Sequence, residues 1–387
     1  MFEYISIFLL FIFLSYNYDI KGNKAGYNTW VKFCCVILIL LAGLRNHVGG
    51  DTFNYIYHFD QWPNLQELFS TKLSLSEVTQ PLWFLINCIL KTIYSDFVVV
   101  QLFHAIVVNL LIFRFIKKTT NKVFIAILFV YCIVWWNFNF EIMRESLCVA
   151  IYLNSLLELK NKKVFRFILF SIPCLLIHYF SFVIIAFTLL VYYLNNKTTI
   201  LLIGAIILVL LVFRDIFSNF ALEIASMTAE DLSERLEDYI YGDVYGTTNL
   251  NLFGVFSKLL LLLQPVLIIY SYYTSKTTDS LELKLLMLYI LFFIITAVFP
   301  IFSRFLNYLM VLLIIGSINY LSQNKRKRNL SYSIVCILFI YNMVAGINEF
   351  YTPSPSDRSN NKYDCRYIPY KNVFEMPDAT RESLYGK

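Results

Sequence analysis

Apolar runs close to the length of a membrane-crossing helix recur about a dozen times along this chain. They fall at about 1–17, 30–46, 97–116, 122–138, 142–159, 163–178, 180–195, 199–213, 254–274, 283–299, 302–321 and 330–348. Lipid offers no hydrogen bonds, so each run must pair its own backbone groups, which makes it a helix. The first run has no basic residues before its apolar centre and no small-residue cleavage site behind it, and reads as a span, not a cleaved leader. Composition agrees: of 387 residues 58% are hydrophobic and 15% charged, against about 45–50% and about 25% in soluble chains. The expected fold is all-α, a polytopic transmembrane helical bundle of about 12–13 spans over residues 1–348, with a polar extracytoplasmic tail over 349–387.

The segment 81–94, which is short and carries Asn87 and Lys91, reads as either a thirteenth span or a re-entrant helix. Lysine and arginine collect in cytoplasmic connectors. The basic connectors here are Lys21 and Lys24; Lys117, Lys118 and Lys122; Lys160, Lys162 and Lys163; Lys197; Lys276 and Lys284; and Lys325 to Arg328. All fall on one side if 81–94 is re-entrant or interfacial and does not cross. The outer side then receives the loops 45–80 and 214–252, the turns near 136–142 and 300–304, the neighbourhood of His178, and the tail.

Several chemistries find no footing. Seven of the eight cysteines lie in apolar runs and none forms a Cys-x-x-Cys pair, so neither a zinc site nor a disulfide framework is indicated. No phosphate-binding glycine loop is present, and no basic patch with interleaved aromatics points to nucleic acid. No cofactor or metal is expected. The outer half keeps few basic residues outside the tail, but Arg45, Arg144, Arg214 and Arg304 stand there at span ends. Arginine near a bilayer is costly unless it faces a cavity or a partner, and its planar fork matches phosphate oxygens in a way lysine cannot. Any single one could instead snorkel to the interface or pair with a local acid.

The segment Gly43-Leu44-Arg45-Asn46-His47-Val48-Gly49-Gly50-Asp51-Thr52-Phe53-Asn54-Tyr55 resembles the signature of the EpsG family, the Wzy-like bacterial polysaccharide polymerases. Phe138-Asn139-Phe140-Glu141-Ile142-Met143-Arg144-Glu145-Ser146-Leu147 is similar to the family's Met-Arg-Gln-x-Leu element, departing from it at Glu145. Ile177-His178-Tyr179-Phe180-Ser181 resembles its Ile-His-x-Ser-Ala element with one residue inserted. Arg304-Phe305-Leu306-Asn307-Tyr308 resembles its late Arg-x-x-x-Tyr, and Tyr367-Ile368-Pro369-Tyr370 its tail Pro-Tyr. The elements occur in order across almost the whole chain.

The resemblance implies a metal-independent, glycosyltransferase-type polymerase in the bacterial cytoplasmic membrane. It would join repeat units carried on undecaprenyl diphosphate at the outer face, for exopolysaccharide, capsule or O-antigen, beside a flippase and a chain-length regulator of the same pathway. The leaving diphosphate gains negative charge, which fixed arginines would stabilise. Arg45, Arg144 and Arg304 are the expected diphosphate ligands. His178 is a candidate base, since imidazole exchanges protons near neutrality. Asp51 is the other candidate, or an orienting partner of Arg45. Trp135, Trp136 and Tyr308 are candidate glycan contacts, although a tryptophan pair there also suits an interfacial belt.

The acidic loop 214–252 suits an interfacial helix at 221–241 covering the site; its Glu230-Asp231 resembles the acid pair of metal-dependent glycosyltransferases of the C fold, but those acids usually sit in the first outer loop, which here has no adjacent acidic pair. Two other classes fit the composition. A lipid-linked oligosaccharide flippase would show paired half-repeats and broken helices. A membrane acyltransferase would need its histidine within reach of a cytoplasmic donor, which the outer placement of His178 argues against.

Overall fold

The computed structural model describes residues 2–70, 80–212, 261–271, 280–296, 299, 302–323, 330–351, 366–379 and 381. Helix α1 (Phe2–Leu14) continues through a wider π-type segment, Ser15–Ile20. It is followed by α2 (Tyr27–Gly43), α3 (Thr52–Gln61), α4 (Leu65–Ser70), α5 (Pro81–Ile93) and α6 (Val98–Thr119). Helix α7 (Val123–Val130) also widens, through Tyr131–Trp135 and Asn137–Glu141, before α8 (Met143–Lys160), α9 (Val164–Ile177), α10 (Ser181–Tyr193) and α11 (Asn196–Val212). The rest are α12 (Leu261–Ser271), α13 (Leu281–Thr296), α14 (Ser303–Gln323) and α15 (Leu330–Tyr351). Among the described residues there is no strand, only an isolated antiparallel bridge between Arg45 and Asn372. The protein is an all-α helical membrane protein, as expected. Three of the described helical stretches, Phe2–Ile20, Val98–Thr119 and Ser303–Ser322, are long and apolar enough to cross a membrane, and several others are shorter apolar helices of 10–17 residues.

The chain divides into a unit of Met1–Ile185 with Asn342–Lys387 and a unit of Ala186–Tyr341. In the first, α2 lies on α6, α6 on α8, and α8 on α9. Small and polar residues join these helices, as expected where lipid gives no hydrophobic drive between them. Ser171 Oγ donates to Ser155 Oγ at 3.1 Å, and the thiols of Cys148 and Cys174 each reach the other's carbonyl at 3.5 Å. A closed ring of bonds ties α6 to the widened end of α7. Trp135 Nε1 donates to Asn109 Oδ1 (2.8 Å), Asn109 Nδ2 to Asn139 Oδ1 (2.9 Å), and Asn139 Nδ2 to the Trp135 carbonyl (2.9 Å).

The first unit has two chemically different ends. At one, Asp19 accepts from the backbone N–H of Ile125 at 2.7 Å, close to the lysine-bearing ends of α6, α8 and the start of α9. At the other lie Tyr4, the turn after α2, Glu141, Arg144 and His178. Helix α5 both begins and ends at this second end. Gln80, before its first turn, is bonded to Arg144. Lys91 in its last turn donates to the carbonyls of Phe59, Asp60 and Trp62 at 2.7–2.9 Å, closing the end of α3. The following α6 starts beside Arg45, whose carbonyl takes a bond from Gln101 Nε2 at 3.1 Å.

In the second unit, α13 packs on α14 and on α11, and Gln264 Nε2 of α12 donates to Ser317 Oγ of α14 at 2.7 Å. Phe292, Phe299, Phe302 and Phe305 stack around the start of α14. Arg214, the loop 214–252 with its expected helix at 221–241, and the basic run 325–328 lie outside the described residues.

Candidate functional site

Helix α2 stops at a close approach to α6. A Cβ on Gly43 would come within 2.7 Å of Leu102 Cδ1 and 3.0 Å of its Cα. The chain then doubles back through residues with positive φ at His47 (52°) and Gly49 (107°). At Gly49 a Cβ would stand 2.6 Å from the Phe140 carbonyl oxygen, so this approach requires glycine.

Arg45 turns into this loop and is 0% exposed. Its Nε donates to Val48 O at 3.1 Å, one Nη to Ala42 O, and the other to Met143 Sδ at 3.5 Å. The guanidinium lies over the Phe140 ring at 5.1 Å. The loop also presents two successive backbone N–H groups, from Gly50 and Asp51, and the Glu141 carboxylate accepts both at 2.9 Å. Such a pair makes a ready anion nest. In this chain its occupant is an internal acid.

The segment 366–381 is laid across the loop. Asn46 N–H donates to Lys371 O (2.8 Å), Val373 N–H to Leu44 O (2.9 Å), and Gly49 N–H to Arg366 O (3.1 Å). Asn46 Nδ2 reaches Glu375 O at 2.8 Å, and Arg381 donates to the carbonyls of His47 (3.3 Å) and Pro369 (2.7 Å). Two phenols complete the contact, Tyr370 to Leu41 O at 3.0 Å and Tyr4 to Tyr367 O at 2.9 Å. Burial pushes the Tyr370 phenol up to about 12 against the opposing pull of Arg45, so it stays a donor through the physiological range.

Arg144, in the first turn of α8, is half-buried. One Nη donates to Gln80 Oε1 at 2.8 Å, and the guanidinium lies 5.6 Å from the Tyr55 ring centre, itself 6.0 Å from Trp83. Burial raises the Tyr55 phenol and the Arg144 charge opposes that rise. Next along α8, Glu145 faces His178, the residue that ends α9 through its N–H bond to Cys174 O (2.8 Å). Their Oε2 and Nε2 stand 3.9 Å apart, with the side chains 4% and 7% exposed.

Arg45, Asp51, Arg144 and His178 therefore adjoin the head of α8 in one unit. Arg45 gives Nε and one Nη to carbonyls of its own turn and the other Nη to Met143 of α8, so the guanidinium expected at a diphosphate braces this turn. Asp51 is exposed at the head of α3, and the acid acting on Arg45 is Glu141. Arg304, half-buried in the first turn of α14, and Tyr308, 1% exposed, belong to the second unit. Trp135 and Trp136, at 1% and 6% exposure, are packed among Tyr4, Tyr131 and Phe140. Neither offers a face to a sugar or to an interfacial belt, because the widened turns of α7 direct both rings inward.

Sequence reasoning passed over Glu141, Gln80, Tyr55, the partner of His178, and Arg366 and Arg381 of the tail. It also missed His104, wholly buried in α6 with Nε2 2.9 Å from Ser146 Oγ. A signal existed for Glu141 and Glu145: each is an acid inside a long apolar stretch, where an ionisable group needs a partner.

These features define an integral membrane protein with a charged site assembled at one end of its bundle. The model of the EpsG family matches residues 28–371. The chain belongs to that family, one of Wzy-like polymerases. No curated protein and no solved structure matches the chain.

Proposed function

We propose that this protein polymerises polysaccharide repeat units carried on undecaprenyl diphosphate at the outer face of the bacterial cytoplasmic membrane, in exopolysaccharide, capsule or O-antigen synthesis. The observation that carries the reading is Arg144. It is a partly exposed guanidinium braced by Gln80 and Tyr55, beside a glycine loop and one residue from the acid that faces His178. The basic residues at the opposite end of the unit support an outer position for this one.

In the proposed reaction a hydroxyl oxygen of one repeat unit attacks the anomeric carbon of the growing chain. The bond from that carbon to the diphosphate breaks, its electron pair leaves on the diphosphate, and the hydroxyl proton passes to His178. Arg144 meets the leaving charge, which lysine could do only as a point charge, and Arg304 is kept as a diphosphate ligand on the family resemblance of its Arg-x-x-x-Tyr element alone. Arg45 is assigned a positioning role in the loop. Asp51 is the alternative base. The reaction draws on no metal, and its partners are the lipid-linked oligosaccharide, the flippase that delivers it and a regulator of chain length.

The test is gel analysis of surface glycan from a deletion strain, together with polymerisation of purified lipid-linked repeat units. A single repeat unit in the deletion strain supports a polymerase, and complete loss of glycan favours a flippase. Arg144→Lys should insert normally and yield no polymer, while a chelator should leave the wild-type rate unchanged. Polymer of normal length from Arg144→Lys would overturn the diphosphate role.

A further inference from the structure

From the packing of α8 against α9, we infer that Glu145 is a positioning residue for His178, holding its Nε2–H so that the Nδ1 lone pair is the one presented to the acceptor hydroxyl. The inference deepens the polymerase reading and rests on it. Three observations carry it. The two groups approach each other across a helix pair joined by a short turn, with Glu145 Oε2 3.9 Å from His178 Nε2. Both are almost wholly buried, where a carboxylate needs a partner. Glu145 lies in the first turn of α8, and His178 caps α9, its N–H bonded to the Cys174 carbonyl. The distance exceeds that of a hydrogen bond. Bonds of this kind are often long without substrate and tighten in the complex.

Other groups near the pair have different work. Tyr179 and Phe180 place their rings 6.0 and 5.7 Å from the imidazole. The thiols of Cys148 and Cys174 bond to each other's carbonyls. Arg144 is turned to Gln80 and Tyr55, and Lys91 of α5 is held by three carbonyls of the α3 end. A carboxylate on one imidazole nitrogen selects the tautomer and orients the ring, which is the general device for readying a histidine base. In the step proposed above, the hydroxyl proton then goes to Nδ1 while Nε2–H stays with Glu145. The resulting imidazolium lies against a negative charge.

The experiment combines nitrogen NMR of histidine-labelled protein in lipid nanodiscs with the polymerisation assay, on wild type, Glu145→Gln and Glu145→Leu. His178 is assigned by its loss in His178→Gln. The wild type should show a single tautomer with the proton on Nε2. Glu145→Gln keeps an acceptor oxygen and should keep that tautomer and measurable polymerisation. Glu145→Leu should lose the fixed tautomer, with kcat lowered at least about tenfold and KM unchanged. Its loss should stay below the roughly 10² to 10⁴ that removal of a base costs. A tautomer mixture in the wild type, or one unaltered in Glu145→Leu, overturns the inference whatever the activity. If Glu145→Leu does not fold, a proton on Nδ1 in Glu145→Gln overturns it equally. A tautomer fixed by Glu145 in a protein that does not polymerise supports the pairing and overturns the polymerase reading instead.

Discussion

Two arginines in matched elements behave differently because of where their donors point. Arg45 donates to the carbonyls of Ala42 and Val48 inside the protein; Val48 also accepts from Thr52 Oγ1, so Arg45→Ala would leave the Ala42 carbonyl without its donor. A buried polar group left unmet costs about 1–3 kcal/mol, and the expected result is a loss of about 1 to 3 kcal/mol, seen as a lower unfolding midpoint in detergent. Arg144→Ala, at a half-buried site, should barely move that midpoint yet abolish polymer. Equal destabilisation by the two would contradict the division of roles. Both arginines were legible as special, since charge at a span end stands out in so apolar a chain. Their difference was not, because it depends on a backbone path through His47 and Gly49 that distant groups enforce, among them the Phe140 carbonyl, Glu141 and the tail. Glu145 and His178 were in principle readable. They stand at equal distances from the Asn161–Lys162 turn of an antiparallel pair, and such positions meet.

Among the elements, the loop after α2 is held from two sides by separate partners, and hydrogen exchange can tell them apart. The tail takes the amides of Asn46 and Gly49, and Glu141 takes those of Gly50 and Asp51. Removing residues 366–387 should deprotect Asn46 and Gly49 while Gly50 and Asp51 stay slow. Glu141→Ala should give the reverse pattern. Loss of all four protections in either variant would mean the loop melts as one piece. Gly49→Ala should disturb both sets, because its Cβ meets the Phe140 carbonyl at 2.6 Å and its φ of 107° is strained for any side chain. The helices themselves were plain from hydropathy, whereas the strap was not. Its pairing is set by carbonyls and amides, which carry no signature in side-chain pattern, and only the short Tyr367–Tyr370 stretch hinted at it.

For the molecule as a whole, the placement of α5 decides which groups share an end. Both of its ends are tied to the end that carries Arg45 and Arg144. Reporters fused after Lys118 or Lys163 should therefore read cytoplasmic, and those after Thr52 or Ser356 periplasmic. A periplasmic signal at Lys118 would mean that α5 crosses and that Arg45 and Arg144 lie on opposite faces. The distribution of lysines made this arrangement visible in advance, since it acts over whole connectors and is insensitive to local packing. The contact between Asn46 and Glu375 joins positions 329 residues apart. A ribosome delivers the first well before the second, so the loop stays uncovered while the helices between them are made and inserted. Damage confined to the tail would therefore uncover this loop in a protein whose described helices are all in place.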